Sequence, residues 1–330
     1  MLLTEEFTQQ TENYLRSKGW INPGAQIYDY KKAGEGNMNF VVRVCTTDGT
    51  FIVKQSRSYV EKYRHIDAPI ERILVEKEFY EKISGNITLG GFSPKVSGFD
   101  DQYYTLAMED LGYGSDFTGL YSGLISITED EIEKFISYLA QLHTITAQPF
   151  SANAAMKALN HQHIFVYPFL QNNGFNLDTV QKGLQAISLP VKANEKLKTI
   201  ITGLGKRYLA VGKSLLHGDF YPGSWLKIET GLKIIDPEFA FAGDAEFDVG
   251  VMLAHFKMAK VPDTLIQFAT ECYAAKNEIN SQLLNQYTGV EILRRLIGLA
   301  QLPLSLSINE KISLINEACH LIADKQQAGK

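Results

Sequence analysis

Apolar and polar positions change period several times along this chain. Within residues 4–18, Phe7, Tyr14 and Leu15 recur at roughly helical spacing among charges, which predicts a short helix ending before Gly19. Over residues 26–54 the pattern becomes strand-like. The β-rich runs FVVRV and TFIVK flank TTDG, a strong hairpin signal. Residues 69–83, PIERILVEKEFYEKI, return to a helical period. Ile73, Val75, Phe79, Tyr80 and Ile83 form its apolar stripe, and Pro69 suits the first turn. A second hairpin follows around Asp100 and Asp101, running into a strand over 103–108, and Gly112, Gly114 and Gly119 close the stretch.

Beyond the glycines the character is helical. TEDEIEKFISYLAQLHTI, residues 128–145, has Thr128 as an N-cap, with Glu131 three residues on completing a capping box. Helical periods recur over 193–213, 262–275 and 310–324. Between the first two lies SLLHGDFYPGSWLKIETGLKIIDPEFAFAGD, a block of short strands and turns. No internal repeat is present. The order is not the βαβα alternation of a dinucleotide-binding domain. The expected fold class is α+β. A small antiparallel sheet lobe with one embedded helix covers 1–111, and a larger, mainly α-helical lobe covers 112–330.

Composition narrows the function classes. Hydrophobic residues at 45% against 21% charged argue against intrinsic disorder. Lys plus Arg number 32 against 37 Asp plus Glu, a net charge of −5, which demotes a general nucleic-acid binder and leaves room for a local anion pocket. Cys45, Cys272 and Cys319 are too few and too scattered for a disulfide framework, and no CxxC pair suggests zinc. The acidic, polar start is unlike a signal peptide, and no apolar run approaches the ~18 residues of a membrane span. The expectation is a cytoplasmic protein with neither membrane nor nucleic acid as partner.

Six motifs could carry chemistry. GEGNMN, with Gly34, Gly36 and Asn37, lies between two strand-like runs and can fold over phosphates or simply turn a hairpin. Lys54 ends an apolar strand, where its ammonium can meet phosphate oxygens or solvent. Glu76 on the following helix is the chosen partner, over Glu78. In LLHGDFYPGS, Asp219 sits on a tight loop after a buried run, placed for base or hydroxyl-orienting work. His217 reads as a structural residue bonding the loop backbone. In LKIIDPEFAF, Asp236 and Glu238 straddle a proline and can face one hard cation such as Mg²⁺, or form an acidic turn. Asp248 in FDVG opens an apolar helix and either caps it or ties down the loop. Arg294 and Arg295 interrupt an otherwise apolar helix, where guanidiniums are unfavourable unless they meet anions. Either one binds substrate or phosphate while the other pairs with an acid such as Glu291, or both form internal salt bridges.

In this order the set resembles the protein-kinase-like small-molecule phosphotransferases, which include aminoglycoside phosphotransferases and choline kinases. The methylthioribose kinases are the nearer match. GEGNMNFVV resembles their Gly-rich loop, FIVKQSRSYV their lysine strand, MEDLG their hinge, HGDFYPGS their catalytic loop, IDPEFAFAG their metal motif and LRRLIGLA their twin-arginine helix. The resemblance runs from about residue 34 to residue 300. It implies a bilobal kinase fold and ATP bound by Gly34, Gly36, Asn37, Lys54 and Glu76, with adenine against the backbone of Glu109 and Leu111. It further implies Asp219 as the catalytic group, Mg²⁺ on Asp236, Glu238 and Ser224, and an acceptor beside Arg294, Arg295 and Tyr221. His217 and Asp248 would be supports. A hydroxylated small molecule would be the substrate, 5-methylthioribose first, and a homodimer the assembly. The alternatives are an aminoglycoside or choline-type acceptor, or a non-catalytic nucleotide-binding protein. Two departures bear on the acceptor. The family's HGDLHTGS reads HGDFYPGS here, and the chain is shorter than standard members, with the shortfall expected in the second lobe.

Overall fold

The computed structural model describes residues 1–34 and 38–324, so Gly36 and Asn37 of the Gly-rich loop lie outside the described residues. The chain divides into two compact units. One comprises Met1–Ser115 and Lys227–Ala240, the other Asp116–Leu226 and Phe241–Lys330. Residues 227–240, which the sequence groups with the helical lobe, thus pack with the sheet.

The first unit is built on a five-stranded antiparallel sheet. Its order is Ile27–Lys32, Phe40–Thr46, Gly49–Gln55, Thr105–Glu109, Val96–Asp100. The TTDG hairpin forms as expected, pairing Val42 with Val53 and Val44 with Phe51. Val42, Val44 and Val53 point into a core closed by Tyr14 and Leu15 of the helix Gln9–Ser17. That helix starts on Thr8, whose hydroxyl accepts from the Thr11 N–H. The helix Arg72–Ile83 buries the expected apolar stripe, and it also buries Arg72 and Glu76. A short helix that the sequence did not suggest, Ile87–Phe92, follows it. The strand Gly231–Ile234 leads into the turn Pro237–Phe239, which packs against the helix Arg72–Ile83.

The second unit is mainly helical. Thr128 and Glu131 form the capping box of the helix Glu129–His143. Ala245–Met258 and Ser281–Ile297 pack closely side by side at its centre. A Cβ on Gly250 would come within 2.9 Å of Tyr287 Cβ, so this glycine permits the close approach. The helices Ala154–His161 and Leu184–Ala193 add to the core and were not assigned from the sequence. Among the described residues no helix is long and apolar enough to cross a membrane.

Candidate active site

Each unit gathers one cluster of charged side chains. In the first, Lys54 lies beside Val41 and Leu106 in the sheet register. The strand ends buried at this point, so the ammonium is largely removed from water and is tolerated only beside anions. Its Nζ is 2.7 Å from Glu76 Oε2 and 2.5 Å from Asp236 Oδ1. Glu76 is thus the acidic partner, as chosen over Glu78. Burial pushes the Glu76 carboxyl up to about 7, opposed by Lys54. Burial alone would depress the Lys54 ammonium, but Asp236, Glu76 and Glu238 together hold it well above its ordinary range.

The carboxylates at 236 and 238 do different things. Asp236 adopts a left-handed conformation (φ +64°) immediately before Pro237, and its side chain is 46% exposed. Glu238 is buried. Its Oε2 accepts from Asn39 Nδ2 at 2.8 Å and lies 3.2 Å from Arg72 Nε. Arg72 donates further to the carbonyls of Met38, Arg57 and Pro69, each at 2.7 Å, and to Asn39 Oδ1 at 3.0 Å. One buried guanidinium therefore joins the chain just past the Gly-rich loop, the end of the lysine strand and the turn carrying Asp236. Sequence reasoning missed Arg72 and Asn39. A signal existed, because Arg72 and Glu76 are four apart and share a helix face.

Asp110 was also missed. Its Oδ1 accepts a hydrogen bond from Arg43 NH2 at 2.8 Å, and its Oδ2 lies 2.7 Å from Arg43 Nε as an ion pair without hydrogen-bond alignment, which ties down the MEDLG segment. The Glu109 N–H donates to Lys95 O at 2.8 Å, and Leu111 follows half-buried. Gly34 has φ +73°, a conformation that favours glycine.

In the second unit the buried strand Ser214–Leu216 pairs with Phe241–Gly243 and delivers His217, Gly218 and Asp219. Asp248 ties the loop down, as one of its two expected roles required. It is fully buried, and its Oδ2 and Oδ1 accept the N–H groups of His217 at 2.7 Å and Gly218 at 3.0 Å. The N-cap position of its helix is Asp244 instead. His143 Nε2 lies 3.3 Å from Asp248 and its Nδ1 2.7 Å from the Tyr273 hydroxyl. His217 is buried, and its Nδ1 accepts from the Asp219 N–H at 3.4 Å. Ser224 donates its hydroxyl to Asp219 O at 3.0 Å, closing the loop on itself. Asp219 is therefore held from its backbone, leaving its carboxyl to be set by other charges.

One such charge comes from the helix Ser281–Ile297. Arg295 NH2 lies 3.6 Å from Asp219 Oδ1, an ion pair too long for a hydrogen bond. Arg295 Nε donates to Glu291 Oε1 at 2.7 Å, and its guanidinium sits 5.3 Å from the ring centre of Tyr221. Arg294 NH1 contacts Glu291 Oε2 at 3.2 Å as an ion pair without hydrogen-bond alignment, and its buried Nε has no partner among the described residues. Both arginines thus meet Glu291, and Arg295 also reaches the loop.

Two oxygen-donor carboxylates two residues apart suit a hard divalent cation, with Asp236 the exposed donor and Glu238 already engaged. Among the described residues no three His, Cys, Asp or Glu side chains converge as a ready metal site.

The comparisons with known proteins agree with this picture. The chain is 28% identical over 264 residues to the methylthioribose kinase of Exiguobacterium sibiricum, a match covering 76% of this chain and 65% of that relative. It thus spans less than two thirds of that relative's length. It is 25% identical over 344 residues to the methylthioribose kinase of a Geobacillus species, covering 90% and 84%. The resemblance read from the motifs is thereby borne out. The choline kinase LicA from Streptococcus pneumoniae superposes with a TM-score of 0.55 at 13% identity, covering 96% of this chain and 99% of that one. That likeness concerns fold alone, and it bears out the expected α+β, protein-kinase-like class. The model of the phosphotransferase enzyme family matches residues 29–271, a stretch holding Lys54, Asp219, Asp236, Glu238 and Asp248, and the chain belongs to that family.

Proposed function

We propose that this protein is a kinase that transfers the γ-phosphate of ATP to a hydroxyl of a small, sugar-like molecule, with 5-methylthioribose the first candidate acceptor. The observation that carries the reading is the Asp219 loop. Its backbone is anchored by the buried Asp248, and its carboxyl lies beside Arg295. Such a carboxylate can accept the proton of an acceptor hydroxyl or orient it, and positioning with charge neutralisation is most of what phosphoryl transfer needs.

The first unit would bind the nucleotide. Lys54, braced by Glu76, would meet phosphate oxygens, beside the Gly-rich loop that begins at Gly34. The Glu109 carbonyl and the Leu111 N–H would read the adenine edge, since the Glu109 N–H is already committed to Lys95. Asp236 is the fitting donor for Mg²⁺, whereas Glu238 is already engaged by Asn39 and Arg72. Bound there, the ion would neutralise phosphate charge. In the second unit Arg294, with its unpartnered buried Nε, and Tyr221 would face the acceptor or the transferred phosphate.

The names of the curated relatives support methylthioribose. Two adjacent guanidiniums near Asp219 disfavour cationic acceptors such as aminoglycosides and choline, which call for an acidic pocket. A non-catalytic nucleotide binder is disfavoured because Lys54, Asp219 and Asp236 are all present. ATP as donor fits a cytoplasmic protein, and the family likeness supports a homodimer as the assembly.

The test is incubation with MgATP and a panel of methylthioribose, ribose, choline and kanamycin, followed by detection of the phosphorylated acceptor. A product with methylthioribose alone is expected. A product with choline or kanamycin instead would overturn the acceptor. No product, together with no MgATP binding, would overturn the kinase reading.

A further inference from the structure

The helix Ala245–Met258 is apolar on nearly every face where it crosses the unit, yet it carries His255 with no exposed surface. A buried imidazole must be fully bonded to be tolerated. Here each ring nitrogen has one partner. Nδ1 lies 2.6 Å from the Tyr121 hydroxyl, and Nε2 lies 3.2 Å from Glu291 Oε1. The same Glu291 oxygen receives Arg295 Nε at 2.7 Å, and Arg295 in turn reaches Asp219. Tyr121, His255, Glu291 and Arg295 therefore form a buried line that ends on the partly exposed Asp219 of the loop.

The tautomer follows from the charges. Burial would raise the Glu291 carboxyl, but Arg294 and Arg295 outweigh it and hold Glu291 well below the usual carboxylate range. An ionised carboxylate only accepts, so the proton of the imidazole sits on Nε2. Nδ1 then accepts from Tyr121, whose phenol burial keeps protonated. Burial depresses His255 to about 4, and Arg295 and Arg294 act the same way against Glu291, so the ring is neutral near pH 7.

We propose that His255 is a positioning residue for phosphotransfer, fixing Glu291 so that Arg295 presents its guanidinium to Asp219. Glu291 sits one helical turn before Arg295, and its side chain could otherwise rotate toward Arg294. The Nε2–H bond removes that freedom, and the Tyr121 hydroxyl removes the freedom of the ring. Tyr221 completes the enclosure, its ring 5.4 Å from that of His255 and beneath Arg295. The role rests on the reading of Asp219 as the group that meets the acceptor hydroxyl.

The experiment compares His255→Leu, His255→Gln and Tyr121→Phe in the full chain with MgATP and methylthioribose, reading kcat and KM separately. Glutamine keeps an N–H donor near the position of Nε2, whereas leucine keeps only volume. Losing one hydrogen bond to a charged group should lower kcat of the leucine variant about 10- to 100-fold, with KM for MgATP unchanged and the glutamine variant close to wild type. Tyr121→Phe should lower kcat by less, and it replaces the leucine variant if that one does not fold. Wild-type kcat in both His255→Leu and Tyr121→Phe, or a glutamine variant as deficient as the leucine one, overturns the proposal. A second readout does not need turnover. Nitrogen NMR of the His255 ring should show a neutral imidazole protonated on Nε2, and an imidazolium or an Nδ1–H tautomer overturns the proposal. If the wild type phosphorylates nothing in the panel, the kinase reading fails by itself, and the ring tautomer still decides whether this line exists.

Discussion

Asp248→Asn is the sharpest test of how the Asp219 loop is held. The substitution preserves shape and removes one charge and one acceptor. In the native arrangement two oxygens take two backbone N–H groups, at 2.7 Å from His217 and 3.0 Å from Gly218. An amide has one oxygen, so whichever way it turns, its NH₂ faces the other backbone N–H. A hydrogen bond to a charged group contributes about 1.5–3 kcal/mol, and a buried donor left without a partner costs about 1–3 kcal/mol. A neutral amide is easier to bury than a carboxylate, which offsets part of that sum. The net expectation is about 3 kcal/mol of local opening free energy, roughly a 100-fold change in an opening equilibrium. Because the chain comprises two units, a global melting curve could mix their transitions. The assay is therefore amide hydrogen exchange at His217 and Gly218. Protection of one or both should fall about 100-fold, while the sheet strand Gly49–Gln55 keeps its own. Unchanged protection at both amides would refute the claim that the Asp248 carboxylate anchors the loop.

Three further outcomes follow. Arg72→Lys leaves a single ammonium where a planar fork now serves Met38, Arg57, Pro69, Asn39 and Glu238, so urea denaturation should show a loss of about 2–4 kcal/mol. Under the proposed function, KM for MgATP should rise as well. His255, depressed to about 4 from an ordinary 6.5, gives stability that is present above pH 6.5 and lost as pH falls toward 4, because the unfolded chain takes up the proton first. That loss should be about 3 kcal/mol and absent from His255→Gln in denaturation measured across the same pH range. Gly250→Ala drives a methyl against Tyr287 and should destabilise the second unit by about 1–3 kcal/mol, read by thermal unfolding.

Much of the fold was legible because it is encoded over short stretches. The TTDG hairpin, the Thr128–Glu131 capping box and the stripe of the helix Arg72–Ile83 each depend on residues a few positions apart. The site was legible where an unusual residue sits on a strongly patterned element. Lys54 ends a buried strand, and Glu76 lies on the inward face of the helix that follows. What stayed hidden is what joins distant segments. Asn39 bonds Glu238 across 199 positions, and Tyr121 bonds His255 across 134. No local pattern prices such a pairing. Periodicity nonetheless held clues. His255 lies seven residues beyond Asp248 and so shares its helix face, and a histidine inside an apolar helix beside a buried aspartate marks a polar seam. The helix Leu184–Ala193 went unseen because Pro190 sits inside it and proline normally ends a helical pattern.

The Lys54 cluster carries a consequence for how a nucleotide would enter. Its ammonium now serves two carboxylates with very different surroundings. Glu76 is almost wholly enclosed, whereas the Asp236 side chain is 46% exposed. Water screens the Asp236 contact and can replace it, so that contact contributes little net energy. Breaking the Glu76 contact would strand a buried charge, which is far more costly. Phosphate oxygens approaching Lys54 should therefore displace Asp236 and leave Glu76 in place. The released Asp236 keeps its left-handed backbone, because the Arg72–Asn39–Glu238 link holds the turn from the other side of Pro237. Both Asp236 oxygens would then be available to a divalent cation without any movement of the main chain. On this reasoning the two carboxylates of the DPE turn divide their labour. Glu238 fixes the turn, and under the proposed function Asp236 would exchange its lysine contact for a metal ion.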